Sequence, residues 1–321
     1  RFGQLLGIED SVLYVGYINQ ADLGDYYVDK YAFETDPESL SAVAGAFAER
    51  AADADIIHTN DWFGYNPGSR ARSETDVTWV SSFHSLSADR NVDPPDREVR
   101  TEQRVANRAD HLVAVSEFTR ERIRHEYDAD PTVIYNGFSS VEPTGKDVKA
   151  ELGIDGTMLF FVGRHTYQKG LSYLLYALPK LRRDDVTLVL GGTGHLTDQL
   201  QRFGQLLGIE DSVLYVGYIN QADLGDYYAS ADLFVSPSLA EPFGLTIVEA
   251  LSVGTRVVAC RSGVAELLPK DCVIEITPDS ESIADGIEYA LSLDTPIEYE
   301  ERTWEEVADE HAAFYHDVLE A

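Results

Sequence analysis

Four charged residues of this 321-residue chain have types and spacing that could do chemistry: the pair Glu241 and Glu249, and the pair Arg164 and Lys169. The glutamates close a nine-residue string, Glu241-Pro242-Phe243-Gly244-Leu245-Thr246-Ile247-Val248-Glu249. Before it stands a strand-like run, Leu233-Phe234-Val235-Ser236-Pro237-Ser238, and after it Ala250 to Gly254 reads as helix ending at the glycine. Strand, glycine-containing turn and helix leave the first N–H groups of the helix free, which favours an anion there. Gly244 would let that ligand come close to the backbone. If the helix covers both glutamates, they lie roughly 80° apart around its axis with about 12 Å of rise. They would then bracket a phosphate at the helix start and accept hydrogen bonds from hydroxyl-rich groups on either side. The two cations flank a second strand-to-helix turn, Gly163-Arg164-His165-Thr166-Tyr167-Gln168-Lys169-Gly170.

Taken alone, two glutamates at this spacing are more often solvated carboxylates on an amphipathic helix, and two cations more often a solvated loop. The whole string decides otherwise. Ser238-x-x-Glu241-Pro242-Phe243-Gly244-Leu245 ahead of Glu249 resembles the donor-binding motif of retaining glycosyltransferases of the GT-B fold, family 4 in particular. The resemblance implies that Glu241 lies beside the donor sugar and that the stretch Phe243, Gly244, Leu245 and Thr246 holds the diphosphate. It implies that Glu249 binds the ribose. The Gly163–Gly170 segment resembles the family's G-R-x(4)-K-G motif, whose Arg and Lys would neutralise the departing diphosphate where charge develops. By the same resemblance Gly194, in Gly191-Gly192-Thr193-Gly194, approaches the nucleotide. Tyr218 and Ile219 would read the base edge, and His84, at a strand end, would stand beside the donor sugar. His58, His111, His165 and Asp61 are read as structural or left without a role. No His/Asp/Glu cluster has metal-ligand spacing, and the fold class implies a nucleotide-sugar substrate with no metal or other cofactor.

Composition narrows the classes. The chain carries 56 acidic against 25 basic residues, a net charge of −31. Such an excess argues against binding nucleic acid or anionic membrane surfaces. It reads as an acidic shell suited to a high-salt cytoplasm, where screening removes self-repulsion. Only two cysteines occur, Cys260 and Cys272, so a disulfide framework is not expected and a reducing compartment is. Neither a membrane-length apolar run nor a signal peptide is visible. Lipid-linked acceptors, common in the resembled family, leave peripheral membrane contact open.

The elements that must position these residues alternate as strand and helix. Asp55 to His58, Val77 to Phe83, His111 to Val115 and Thr132 to Tyr135 read as strands of a first unit, with helices at about 39–52, 96–109 and 117–125. Met158 to Arg164, Val186 to Leu190, Val213 to Val216, Leu233 to Ser238 and Arg256 to Ala259 belong to a second, with a helix at about 170–182. This alternation predicts parallel α/β sheets with ligands at the carboxyl ends of the strands. Residues 303–319 read as an amphipathic helix, which in the resembled fold crosses back to the first domain. A polar stretch from Ser140 to Lys149 places the boundary, giving domains 28–145 and 146–302, with 303–321 as the crossing helix.

Residues 1–27 recur without a change at 202–228. Natural duplicates drift, so the second copy, which continues smoothly into Ala229 to Val235, is read as native and the first as displaced. Val12 to Val15 is expected to patch an open edge of the first sheet. Val213 to Val216 is expected between other strands of the second. A family member has a strand, a Gly-rich loop, a helix and further strands ahead of the segment matching Asp55 to His58. Here the copied residues stand in that place, so the amino-terminal domain is expected to be incomplete. A smaller departure is Ser262-Gly263, where the family has Gly-Gly.

The expectation is therefore a GT-B glycosyltransferase with two Rossmann-like domains facing across a cleft. It would move a sugar from a nucleotide donor to a glycan or lipid-linked acceptor hydroxyl with retained configuration. The alternatives are a nucleotide-sugar-binding remnant without transfer, or a GT-B-type epimerase. A dinucleotide oxidoreductase is disfavoured, because no G-x-G-x-x-G follows a first strand.

Overall fold

Short apolar runs, rich in β-branched residues and bounded by turn formers, become strands in two α/β units. The computed structural model describes residues 12–15 (as backbone), 44–45, 48–49, 51–295 and 297–320. The first unit takes in the described residues up to Ala88, then Asp93–Asn136 and the chain from Trp304 onward; the second takes Asp89–Val92 and Gly137–Thr303.

Among the described residues the sheet of the first unit has five parallel strands in chain order: β1 (Val12–Val15), β2 (Ile56–Asn60), β3 (Thr78–Phe83), β4 (His111–Ala114) and β5 (Thr132–Val133). β2 and β3 are buried along almost their whole length, as expected of strands covered on both faces. One face packs Trp79, Phe83, Val105 and Ile123. On the other, Ile56, Val80, Val113 and Ile134 meet Val307 and Tyr315 of the terminal helix Trp304–Glu320. Helix Glu117–Tyr127 starts where the sequence placed it, its first turn capped by Ser116 Oγ, which accepts from the Thr119 N–H at 3.1 Å. Most of the helix expected at 39–52, including Leu40, Val43 and Phe47, lies outside the described residues.

The second sheet has six parallel strands among the described residues: β6 (Thr157–Val162), β7 (Val186–Gly191), β8 (Val213–Gly217), β9 (Leu233–Ser236), β10 (Arg256–Cys260) and β11 (Val273–Ile276). Their spatial order is β11-β10-β9-β6-β7-β8. The chain runs outward from β6 to β8, then returns to lay β9 on the other side of β6, with Leu159 opposite Leu233 and Phe160 opposite Phe234. That reversal makes a topological switch point between β6 and β9, where open α/β sheets bind ligands outside the strand carboxyl ends.

The same order corrects one expectation. Among the described residues Val213–Gly217 is the edge strand, paired with β7 alone, and beyond Val213 it is half-buried rather than enclosed. The return to β9 leaves β8 without an outer neighbour among the described residues. Among the described residues the other copy is also an edge: β1 pairs in parallel with β2, Val12 opposite Ile56. The comparison of Leu5, Leu6 and Ile8 with Leu206, Leu207 and Ile209 falls outside the described residues on its first side. On the second side Ile209 is buried but Leu206 is 84% exposed, on the outer face of helix Thr197–Leu207. The helix expected at 170–182 is shorter, Leu171–Ala177, and a 3₁₀ turn with Pro179 ends it.

The polar stretch after Asn136 is bound into the second unit. Phe138 packs near Phe243 and Tyr299, and the Val141 N–H donates to Ser252 Oγ at 3.1 Å. Asp226 accepts from Thr144 Oγ1 and from the Gly145 and Lys146 N–H groups. Among the described residues no helix is long and apolar enough to cross a membrane.

Candidate functional site

At the switch point the loops after β6 and β9 are stitched together. The Leu239 N–H donates to the Gln168 carbonyl at 2.8 Å, and Gln168 Nε2 donates to the Ala240 carbonyl at 2.9 Å. Gly170 allows this approach, since a Cβ there would stand 2.1 Å from the Pro237 carbonyl oxygen. The stitch sets Lys169 against Glu241 across 72 residues of sequence: Nζ donates to Oε2 at 2.6 Å, with both side chains largely buried. Ser238 Oγ donates to the same oxygen at 3.0 Å. The Glu241 backbone bridges to Ser262, and its carbonyl accepts from the Gly263 N–H. The buried Ser262 hydroxyl has no partner among the described residues.

Gly244 caps the helix Leu245–Ser252 at φ 103°, a left-handed conformation that an L side chain rarely adopts. A Cβ here would also meet Ile247 Cδ1 at 3.0 Å and Glu241 Cγ at 3.2 Å. Among the described residues nothing accepts from the N–H groups of Leu245 and Thr246. These are the orphan donors of a helix start.

The two glutamates do not share a helix. Glu241 lies in the bridge before Gly244, and only Glu249 is on the helix, so the spacing computed for one continuous helix does not apply. Proline and glycine inside the string hold the first turn off. Glu249 is half-buried, and its Oε2 accepts from the Tyr228 hydroxyl at 2.8 Å. Burial raises the Glu249 carboxyl above its ordinary range, and the Tyr228 bond lowers it in part.

The remaining residues of this unit surround these loops. Arg164 is exposed beside buried His165. The His165 ring bonds Thr197 Oγ1 at 2.9 Å and the Gly191 carbonyl at 3.3 Å, and burial holds its pKa below the usual value. His165 is therefore structural, tying the loop after β6 to the loop after β7. Gly194 lies against the His165 carbonyl and donates to Thr197 Oγ1. Tyr218 is 80% exposed at the end of β8, while Ile219 covers Gly191. Phe243 is core.

In the first unit, His84 is exposed at the carboxyl end of β3. Its N–H donates to Asp61 Oδ1 at 2.8 Å, and its Nε2 lies 3.1 Å from Asn60 Oδ1. Asp61 is buried at φ 49°, an unusual backbone for a non-glycine residue. Its carboxylate also lies 3.4 Å from the Ser85 N–H, so it shapes the loop that carries His84. His58 is fully buried between Tyr315 Oη at 2.5 Å and Ser82 Oγ at 2.7 Å. Burial first, then His311 and His84 nearby, hold its pKa well below the usual value. Among the described residues no three His, Cys, Asp or Glu side chains group as metal ligands.

The model of the family described as glycosyl transferases group 1 matches residues 146–308, and that of glycosyltransferase family 4 matches residues 26–140. The chain belongs to this glycosyltransferase family. An uncharacterized glycosyltransferase of Methanocaldococcus jannaschii is 30% identical over 301 residues, covering 83% of this chain and 76% of the relative. A D-inositol 3-phosphate glycosyltransferase of Mycobacterium sp. (strain KMS) is 31% identical over 310 residues, covering 90% and 70%. Among solved structures, sucrose-phosphate synthase from Thermosynechococcus elongatus superposes with a TM-score of 0.74 at 21% identity, over 99% of this chain and 91% of that one. HepE of Anabaena in complex with UDP gives 0.70 at 23%, over 95% of each. The fold is GT-B, and the chain is a glycosyltransferase.

For this glycosyltransferase the structure gathers Lys169, Glu241, Gly244 and the helix start at one switch point, with Glu249 further along that helix. One contributor escaped the sequence: Tyr228 reaches Glu249 from another helix, and nothing local marks it. Asp61, read as structural or without a role, shapes the loop that carries His84.

Proposed function

We propose that this glycosyltransferase transfers a sugar from a nucleoside diphosphate donor to a glycan or lipid-linked acceptor hydroxyl, with retention of configuration. The observation that carries the reading is the Lys169–Glu241 pair beside the free N–H groups that follow Gly244, at the β6/β9 switch point. In this reading those N–H groups and the helix start hold the diphosphate. Lys169 and Arg164 stabilise the charge that develops as it leaves, in place of a metal ion. Glu241 presents its second oxygen to sugar hydroxyls, Glu249 accepts from the ribose, and Gly194, Tyr218 and Ile219 line the nucleotide. His84, exposed at the carboxyl end of β3, is a further candidate for the sugar. The UDP complex of HepE supports a nucleotide donor, and the inositol phosphate relatives support a hydroxyl acceptor.

The test is turnover of nucleotide sugars with hydroxyl acceptors, the anomeric proton of the product being read by NMR. Retention is expected; an inverted anomer overturns the stereochemical assignment. A second reading is binding without transfer. Calorimetric binding of a nucleoside diphosphate without turnover would favour it. Family membership does not favour the epimerase. The proposal includes a cytoplasmic setting in a high-salt cell and peripheral contact with a membrane. The protein's unfolding midpoint should rise steeply with KCl, and a salt-insensitive midpoint would refute the acidic-shell reading.

A further inference from the structure

We propose that Tyr228 is a positioning residue for Glu249: its hydroxyl fixes one carboxylate oxygen so that the other meets the ribose hydroxyls of the donor nucleotide. The proposal rests on the reading of Glu249 as ribose acceptor given above. Tyr228, on helix Gln221–Ser230, is fully buried. Its ring stands edge-on to Phe160 and Phe234, with centroids 5.3 Å away in each case. Its carbonyl accepts from Thr255 Oγ1 at 2.6 Å, so backbone and ring are both held. The hydroxyl donates to Glu249 Oε2 at 2.8 Å. Oε1 has no partner among the described residues. A glutamate has three rotatable side-chain bonds, and an anchored donor on one oxygen narrows the positions open to the other. Burial pushes the Tyr228 phenol well above its usual range, so it keeps its proton and remains a donor.

A purely structural hydrogen bond would look the same in coordinates, so the test reads ribose preference. UDP, GDP and ADP are titrated into the full chain by calorimetry, and the tightest is carried forward with its 2′,3′-dideoxy form. The wild type should prefer the ribose form. Glu249→Gln should abolish that preference; if it does not, the ribose reading of Glu249 falls, as it does if no nucleotide binds. Tyr228→Phe deletes one oxygen and keeps the ring packing, with folding checked by circular dichroism. The preference should fall about 3- to 10-fold while affinity for the dideoxy form holds. The double variant should fall no further than Glu249→Gln. A preference intact in Tyr228→Phe but lost in Glu249→Gln overturns the proposal alone. Equal weakening of both nucleotide forms in Tyr228→Phe also overturns it, because that is what a structural role predicts.

Discussion

Glu241 and Glu249 stand on either side of Gly244, and their surroundings differ in kind. Glu241, ahead of the helix, meets a cation at 2.6 Å and a serine hydroxyl at 3.0 Å, both on one oxygen. Glu249, on the helix, meets a neutral phenol at 2.8 Å. A countercharge at contact answers the cost of burying a carboxylate; a neutral hydrogen bond answers it only in part, which is why burial raises Glu249. The difference separates two tasks within nine residues. One end of the string belongs to an ion pair that an incoming anion can share. The other is an acceptor suited to hydroxyls.

Removing Lys169 should break this contrast with the largest effect. Lys169→Ala strips Glu241 of its countercharge and the leaving group of a cation. Turnover should drop by about 10²- to 10³-fold, the usual cost of one donor to a developing anion. Nucleoside diphosphate binding should weaken by roughly 1.5–3 kcal/mol. Lys169→Arg should recover only part of either, since a planar fork does not replace a point charge. Turnover within threefold of wild type would remove Lys169 from the site. Next in size is Gly244→Ala, which forces a Cβ into φ 103° and against Ile247 and Glu241. About 1–2 kcal/mol of stability should be lost, read as a lower urea midpoint. An unchanged midpoint would mean that the turn relaxes freely.

Glu249 should respond to pH where an ordinary glutamate does not. Its folded-state pKa is raised, so the folded protein holds this proton more tightly than the unfolded chain. Stability linked to this group is present below the unfolded-state value and declines as pH rises through the raised one. Binding runs the other way, because only the ionised carboxylate accepts freely. Ribonucleotide affinity should therefore fall as pH is lowered, starting above the ordinary glutamate value of about 4.3. Glu249→Gln should bind more weakly by about tenfold and show little of this acid limb. An identical acid limb in that variant would assign the dependence elsewhere.

Most of what positions these groups could be read ahead of the structure. The runs Met158–Val162, Leu233–Val235 and Val257–Ala259 are continuously apolar and short, as buried parallel strands are, and Gly244 and Gly254 mark the ends of the helix between the last two. The nine-residue string marked the site. Relations set by tertiary packing were not legible. The Lys169–Glu241 contact spans 72 residues and depends on two loops meeting at the switch point. The edge position of Val213–Gly217 follows from strand order, which local sequence does not encode. Identical residues at β1 and β8 form strands in two different sheets, so strand formation there is local while its surroundings are not. Glu241 lies outside the helix because Pro242 and Gly244 interrupt it, a signal that the eight-residue spacing alone overrode.

The smallest expected effect tests whether the cation or the hydroxyl holds Glu241. Ser238 is buried and donates to the same oxygen as Lys169, with Ser236 Oγ 3.3 Å behind it. In Ser238→Ala that oxygen keeps its ion pair, so Glu241 is not left unsatisfied. The lost bond is a single one to an already neutralised group, worth about 0.5–1.5 kcal/mol, and kcat/KM should fall only about 2- to 5-fold. Tyr228 is the partner that Glu249 has on its oxygen, so Tyr228→Phe should disturb its carboxylate more than Ser238→Ala disturbs Glu241. The readouts are kcat/KM for each single variant and the coupling of Ser238→Ala with Lys169→Ala. With the cation gone, the hydroxyl becomes the remaining side-chain donor to Glu241, so its loss should cost more in that background than in wild type. Should Ser238→Ala alone cost as much as Lys169→Ala, the hydroxyl rather than the cation anchors Glu241, and the contrast between the two carboxylates disappears.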